Sequence, residues 1–258
     1  MKAARTVLVT GASAGIGQAF AHVFAEHGWH VVVTARRRER LEALAADLTG
    51  RYGVTTRVIV ADLADPHAGE HIAREVAAAG IALDGLVNNA GYAVPKRYRH
   101  TTWEQQATFL QVMVTAVAEL THRFLPGMVD RRYGRIINVA SIAALIPGSA
   151  VGHTLYGASK AFLVRFSQSL TAEVRKYGVH VTAVCPGMTR SEFHDVTGTR
   201  EKVSRLPKWA WMDAEPVARQ GYAACMKGRS VHVTGAANKG LVLLGRLLPD
   251  EVVMRRAR

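Results

Sequence analysis

The sequence predicts an α/β fold, a parallel sheet covered by helices on both faces. Three observations carry the prediction. Short β-branched runs alternate with helix-patterned stretches along nearly the whole chain, the order of repeated βα units. Several of the runs, such as Arg135 to Ala140, read as buried strands, as strands covered on both faces do. A glycine-rich turn, Gly11-Ala12-Ser13-Ala14-Gly15-Ile16-Gly17, joins the first strand to the first helix. At 258 residues, with neither a linker nor an internal repeat, the chain suits one large domain with a substantial core.

Thr6 to Thr10 is the first strand, and a helix from Gln18 to Gly28 follows the glycine turn. In that context the turn acquires a use. Gly11 allows a sharp bend, Gly15 lets backbone approach a pyrophosphate, and Gly17 packs the helix close to the sheet. The helix N-terminus then offers N–H groups and positive dipole to phosphates. Ser13, Ala14 and Ile16 belong to the same cradle. His30 to Ala35 is the second strand, and it ends without the acidic residue that would bind an NAD ribose. Arg36 and Arg37 stand there instead, suited to bidentate contacts with a 2′-phosphate. NADP(H) is therefore the expected cofactor, with NADPH preferred over NADH.

A helix from about Arg37 to Tyr52 leads to a third strand, Arg57 to Ala61, ending at Asp62-Leu63. There the Asp62 carboxylate suits an adenine amino group, or alternatively the cap of the next helix, Pro66 to Ala79. The fourth strand begins at Gly85 and runs into Asn88-Asn89-Ala90-Gly91. Asn88 suits a brace between strands, while Asn89, Ala90 and Gly91 are small enough for a cofactor ribose to lie against backbone. One long helix is expected from Trp103 to Arg123, closed by Leu125-Pro126-Gly127.

Arg135 to Ala140 is the fifth strand and delivers the Ser141 hydroxyl at its carboxyl end. The helix from Thr154 to Tyr177 carries Tyr156 and Lys160, one turn apart on one face. A free phenol, with a pKa of about 10, is a poor proton donor or acceptor at neutral pH. An ammonium beside it favours the phenolate and brings it toward the range of general acid–base catalysis. Val179 to Cys185 is the sixth strand and leads into Pro186-Gly187 and on to Ser191. The pattern then loosens as far as Met212. A helix from Asp213 to Lys227, a strand from Ser230 to Thr234 and helical turns from Ala237 to Leu248 complete the chain.

The formal net charge of +13 suits nucleic acid, a membrane surface or an anionic small molecule. The basic residues, however, fall in short separate groups, such as Lys96 with Arg97 and Arg99, and no nucleic-acid module accompanies them. Solvated surface accounts for most of them, so neither nucleic acid nor a membrane is an expected partner. Cys185 and Cys225 are too few for a disulfide framework and lack metal-ligand spacing. No metal is expected, and the two thiols are read as reduced, in a cytoplasmic protein.

Thr10-Gly11-x-x-x-Gly15-Ile16-Gly17, Asn88-Asn89-Ala90-Gly91, Ser141, Tyr156-x-x-x-Lys160 and Pro186-Gly187 occur in this order. Together they resemble the short-chain dehydrogenase/reductase family, classical type, over nearly the whole chain. The resemblance implies one Rossmann-like, doubly wound domain with a seven-stranded parallel sheet. A cofactor half reaches to about residue 140, a catalytic and substrate half follows from Ser141, and two long helices join copies into a homodimer or homotetramer. It implies an NADP(H)-dependent oxidoreductase interconverting a carbonyl compound and its alcohol by hydride transfer. Tyr156 would be the acid–base residue. Lys160 would lower its pKa and hold the nicotinamide ribose, and Ser141 would orient the substrate oxygen. Pro186 and Gly187 would border the cofactor, and Thr189 and Ser191 would contact its carboxamide and phosphates. A substrate pocket framed by Tyr92, Val94, Ile142 and the stretch from Phe193 to Met212 implies an apolar carbonyl compound.

Two departures accompany the resemblance. The loop between Ser141 and Tyr156, with Gly148 and Gly152, is slightly long. Met113 stands where similar enzymes place an asparagine that bends the helix and binds a relay water. A thioether is only a weak acceptor and cannot hold that water. Met113 thus motivates an alternative, a catalytically weak NADP(H)-binding sensor or interaction protein.

Overall fold

The computed structural model describes residues 4–146, 154–193, 207 and 210–247. The strands are β1 (Thr6–Thr10), β2 (His30–Ala35), β3 (Thr56–Val60), β4 (Gly85–Asn88), β5 (Gly134–Val139), β6 (Val179–Cys185), β7 (Met188–Arg190), β8 (Trp211–Asp213) and β9 (Val231–Val233). The helices are α1 (Gly15–Glu26), α2 (Arg38–Tyr52), α3 (Ala68–Ala78), α4 (Trp103–Leu110), α5 (Ala116–Asp130), α6 (Thr154–Val174), α7 (Ala214–Met226) and α8 (Ala236–Leu247). Seven strands form one parallel sheet in the order β3-β2-β1-β4-β5-β6-β9.

Period-two alternation along each strand divides the core in two. Val7, Val9, Val31 and Val33 point to one face, where Phe20, Phe24, Leu41, Leu48 and Val217 of α1, α2 and α7 cover them. Leu8, Val32, Leu86 and Ile136 point to the other, against Ile72, Leu120, Met128 and Leu170 of α3, α5 and α6. The order of connection reverses at β1, whose neighbours are β2 and β4. Beyond the carboxyl ends of β1 and β4 lies the crevice where open α/β sheets take ligands.

The long helix expected from Trp103 to Arg123 is not continuous. A wide π-helical turn, Gln111–Thr115, separates α4 from α5. Nor does Pro126 end α5, which runs on to Asp130. His122 and Pro126 both lie on the exposed face, where water can take the carbonyl that proline leaves without a donor. Helix α3 begins at Ala68 rather than Pro66, because Asp62 and Asp65 first close a turn with Ala64 N–H and His67 N–H. Asp62 therefore does not cap the helix. A further addition is a two-stranded parallel ribbon of β7 and β8, pairing Met188 with Trp211 and Arg190 with Asp213.

Candidate active site

The glycine turn is tied to the end of β4 by side chains that the glycines make room for. Asn89 Nδ2 donates to Thr10 O at 2.9 Å and Gly11 O at 3.2 Å. The Thr10 hydroxyl accepts from Asn89 N and Ala90 N, at 2.9 and 3.1 Å. A Cβ on Gly11 would lie 2.8 Å from Ala90 Cα, and one on Gly17 would collide with Asn89 Nδ2 and Gly11 O. Gly11 and Gly15 also take positive φ, 64° and 57°, which costs glycine nothing. Asn89, expected among the cofactor residues, thus gives its amide to fixing the turn. Ala14 stands at the N-cap of α1 and offers no capping side chain, leaving the first N–H groups of α1 to a ligand.

A polar network braces the middle of the sheet. Asn88 Nδ2 donates to Asn138 Oδ1 at 2.9 Å and to Thr121 Oγ1 at 3.2 Å. Asn138 Nδ2 donates in turn to Ser167 Oγ at 2.9 Å. These bonds lock β4 and β5 to α5 and α6; β5 leads into Ser141, and α6 carries Tyr156 and Lys160.

Ser141 follows β5 directly. Its hydroxyl accepts from Ala143 N at 3.1 Å, and Ile142 N donates to Pro186 O at 2.9 Å. Lys160 reaches back from α6 to donate to Val139 O at 2.8 Å. Its Nζ lies 5.6 Å from the centre of the Tyr156 ring. The phenol departs from the expected lowering. Desolvation pushes Tyr156 up to about 12, and its contact with the Ser141 hydroxyl draws it only partway back. Burial also brings Lys160 down to about 8, opposed by the Cys185 side chain. The phenol's shift is set by desolvation against the Ser141 hydroxyl, while Lys160 gives its Nζ to the Val139 carbonyl. A protonated phenol beside a hydroxyl is equipped to donate a proton to a carbonyl oxygen.

A small recess of about 10 Å³, room for a single water, borders Tyr156. Val94, Phe109 and Leu155 form its apolar wall, and Lys96, Gln106 and Thr154 its polar edge. Tyr92 and Ile142, expected there, do not line it. Tyr92 packs edge-on against Phe109, with ring centroids 5.5 Å apart, and feels the charges of Arg36 and Asp62. Phe193 lies 6.0 Å from Tyr156 between ring centroids. Gly148, Gly152 and most of the stretch from Phe193 to Met212 fall outside the described residues. Met113 is fully buried, and a Cβ on Gly91 would meet its sulfur at 2.9 Å.

The remaining expected residues fall around the same crevice. Arg37 Nη2 donates to Ser13 Oγ at 2.9 Å, while Arg36 makes no ion pair among the described residues. Leu63 is buried behind Asp62. Gly187 gives space to the Asn238 side chain of α8, and Thr189 Oγ1 donates to Gly187 O at 3.2 Å. Ser191 packs over Gly15. Sequence reasoning anticipated Asn88 as a brace between strands but missed its partners Asn138 and Thr121, and it missed Glu192, Arg40 and Lys96. The Asn-Asn dipeptide was the available signal for the brace. For Glu192, which pairs with Arg37 across the chain, no local signal exists.

The sheet order and the crevice at its switch point define a doubly wound α/β protein of the dinucleotide-binding class. Comparison with known proteins narrows this class. The family profile described as short chain dehydrogenase matches residues 5–202. A sulfoacetaldehyde reductase of Chromohalobacter salexigens is 39% identical over 189 residues, covering 72% of this chain and 73% of its own. A serine 3-dehydrogenase of Agrobacterium fabrum is 37% identical over 204 residues, covering 77% of this chain and 78% of its own. Among solved structures, a short-chain dehydrogenase from Sphingobium yanoikuyae in complex with NADPH superposes with a TM-score of 0.82. It is 32% identical, over 94% of this chain and 93% of that one. The chain belongs to the short-chain dehydrogenase family and is an oxidoreductase acting on the CH–OH/C=O pair.

Proposed function

We propose that the protein is an NADPH-preferring carbonyl reductase, reversible as an alcohol dehydrogenase, with Tyr156 as its proton donor. The observation that carries this reading is the cluster at the carboxyl edge of the sheet. A phenol held protonated by desolvation contacts the Ser141 hydroxyl, with the Lys160 ammonium behind it. Ser141 and Tyr156 together hold the carbonyl oxygen, and the phenol gives it a proton as charge develops there. The nicotinamide cofactor supplies the hydride when bound. Gly15, at positive φ beneath Ser191, and the uncapped start of α1 suit its pyrophosphate, and Arg37 beside Ser13 suits a 2′-phosphate. Lys160 would hold the ribose, Asp62 would face the adenine, and Ala90, Gly91, Pro186, Thr189 and Ser191 would border the nicotinamide half.

Val94, Phe109 and Leu155 beside Tyr156 line only a water-sized recess, so the apolar substrate rests on the character of these side chains and not on a formed pocket. The named relatives act on sulfoacetaldehyde and serine, which agrees with a small carbonyl or alcohol substrate. A homo-oligomer is supported by α6, where the rings of Phe162 and Phe166 stack 5.5 Å apart without being fully buried. A cytoplasmic site of action agrees with two free, buried cysteines. No described helix is long and apolar enough to cross a membrane. The sensor alternative has Met113 as its support, and the Ser141–Tyr156–Lys160 cluster argues against it.

The test is a carbonyl and alcohol screen followed by NADPH absorbance, with NADH in parallel. NADPH should win in kcat/KM. Arg37→Ala should cut that preference about 10- to 100-fold, the weight of one or two charge-assisted hydrogen bonds. Equal efficiency of the two cofactors in the wild type would sink the NADP(H) assignment.

A further inference from the structure

The arginines after β2 hold a carboxylate from the other half of the chain. Glu192 Oε2 accepts from Arg37 Nη1 at 2.9 Å, and Oε1 accepts from Arg40 Nη1 at 2.5 Å. Arg37 turns its other edge to Ser13, donating to Oγ from Nε at 3.3 Å and from Nη2 at 2.9 Å. The glycine turn, the start of α2 and the stretch after β7 thus converge on one guanidinium. The residue before Glu192 is seated on the same turn, since a Cβ on Gly15 would lie 2.8 Å from Ser191 Cβ.

Arg40 first and Arg37 second hold the Glu192 carboxyl below its usual range, so an anion occupies this cradle at neutral pH. A carboxylate and a phosphate monoester ask for the same thing, paired N–H donors on a planar cation. Held on one guanidinium the two anions repel, so each weakens the other's hold. The glutamate pairs are weakly held. Arg37, Arg40 and Glu192 have side chains 44%, 49% and 40% exposed, and exposed ion pairs contribute little to stability.

We propose that Glu192 is a cofactor-specificity residue whose carboxylate occupies the 2′-phosphate subsite and competes with the phosphate of NADP(H). The inference rests on the reading that Arg37 receives that phosphate. NADP(H) displaces Glu192 from Arg37 and Arg40. NAD(H), with a hydroxyl in place of the phosphate, leaves Glu192 on its arginines. Glu192 therefore narrows the preference that Arg37 creates.

The experiment measures dissociation constants for 2′-AMP, 5′-AMP, NADPH and NADH at one fixed ionic strength. The proteins are the full-length wild type, Glu192→Gln and Arg37→Ala, each checked by melting temperature. Glu192→Gln should tighten 2′-AMP and NADPH about five-fold, the weight of one exposed ion pair. It should leave 5′-AMP and NADH unchanged. Unchanged or weaker 2′-AMP binding in Glu192→Gln, with Arg37→Ala weakening it as expected, overturns the role of Glu192 alone. Unchanged 2′-AMP binding in Arg37→Ala overturns the phosphate subsite itself, and the role of Glu192 with it.

Discussion

Lys160 is a lysine in a place that disfavours its charge. It is buried and donates to Val139 O, and desolvation brings it down to about 8. In the unfolded chain the same group titrates near about 10.4. Between these values the unfolded chain binds the proton and the folded protein does not, so the Lys160 contribution to unfolding free energy rises with pH across this window. Burial pushes Tyr156, Cys185 and Cys225 up to about 12, 12 and 11, so the cysteines oppose the lysine from about pH 8.5 and the phenol from about pH 10. Subtracting a Lys160→Met variant isolates the lysine. The melting temperature of wild type minus that of Lys160→Met should increase from about pH 8 to about pH 10. A flat difference would show that Lys160 keeps its proton in the folded protein. The pairing of Tyr156 with Lys160 was legible in the sequence because helix spacing puts both on one face. The sign of the phenol's shift was not, because desolvation depends on neighbours brought in from β5 and β6.

At the scale of elements, the break between α4 and α5 is the feature closest to the chemistry. The resemblance attributes a bend here to asparagine, yet the π-turn forms with Met113 in that place. The bend therefore does not depend on asparagine, and the effect expected of Met113 is confined to the relay. Proton transfer from Tyr156 within one turnover needs no relay, whereas restoring the phenol between turnovers does. Met113→Asn should raise steady-state kcat several-fold while leaving the single-turnover rate of hydride transfer nearly unchanged. Stopped-flow and steady-state measurements on both proteins decide it. Equal effects on the two rates, or none on either, would make Met113 a packing residue. The strand and helix succession was legible throughout, since β-branched runs and glycine turns are local signals. The π-turn was not, because its sequence, Gln-Val-Met-Val-Thr, has no proline or glycine to mark it. Nor was the β7–β8 ribbon, whose partners lie too far apart in sequence for a hairpin signal. Pro126 misled because its cost depends on whether it faces solvent or core.

For the whole molecule, two faces of one sheet are assembled so that the ends of β1, β4 and β5 meet at a single crevice. The glycine turn comes from the first strand of the chain and Ser141 from the fifth. Asn88, Asn138, Thr121 and Ser167 fix the distance between the halves through buried hydrogen bonds. The chain of bonds ties β4 to β5 and β5 to α6, which carries Tyr156 and Lys160, while Asn88 Oδ1 is buried without a partner among the described residues. The account stands or falls on whether that arrangement turns over a carbonyl compound through Tyr156. The most direct measurement is NADPH consumption across a carbonyl panel by wild type and by Tyr156→Phe, with NADPH dissociation constants for both. Phenylalanine preserves the ring against Phe193 and removes only the transferable proton. The account predicts turnover in the wild type, a loss of about 1000-fold or more in the variant, and NADPH affinity unchanged within about two-fold. Near-normal turnover by a folded Tyr156→Phe protein would contradict it.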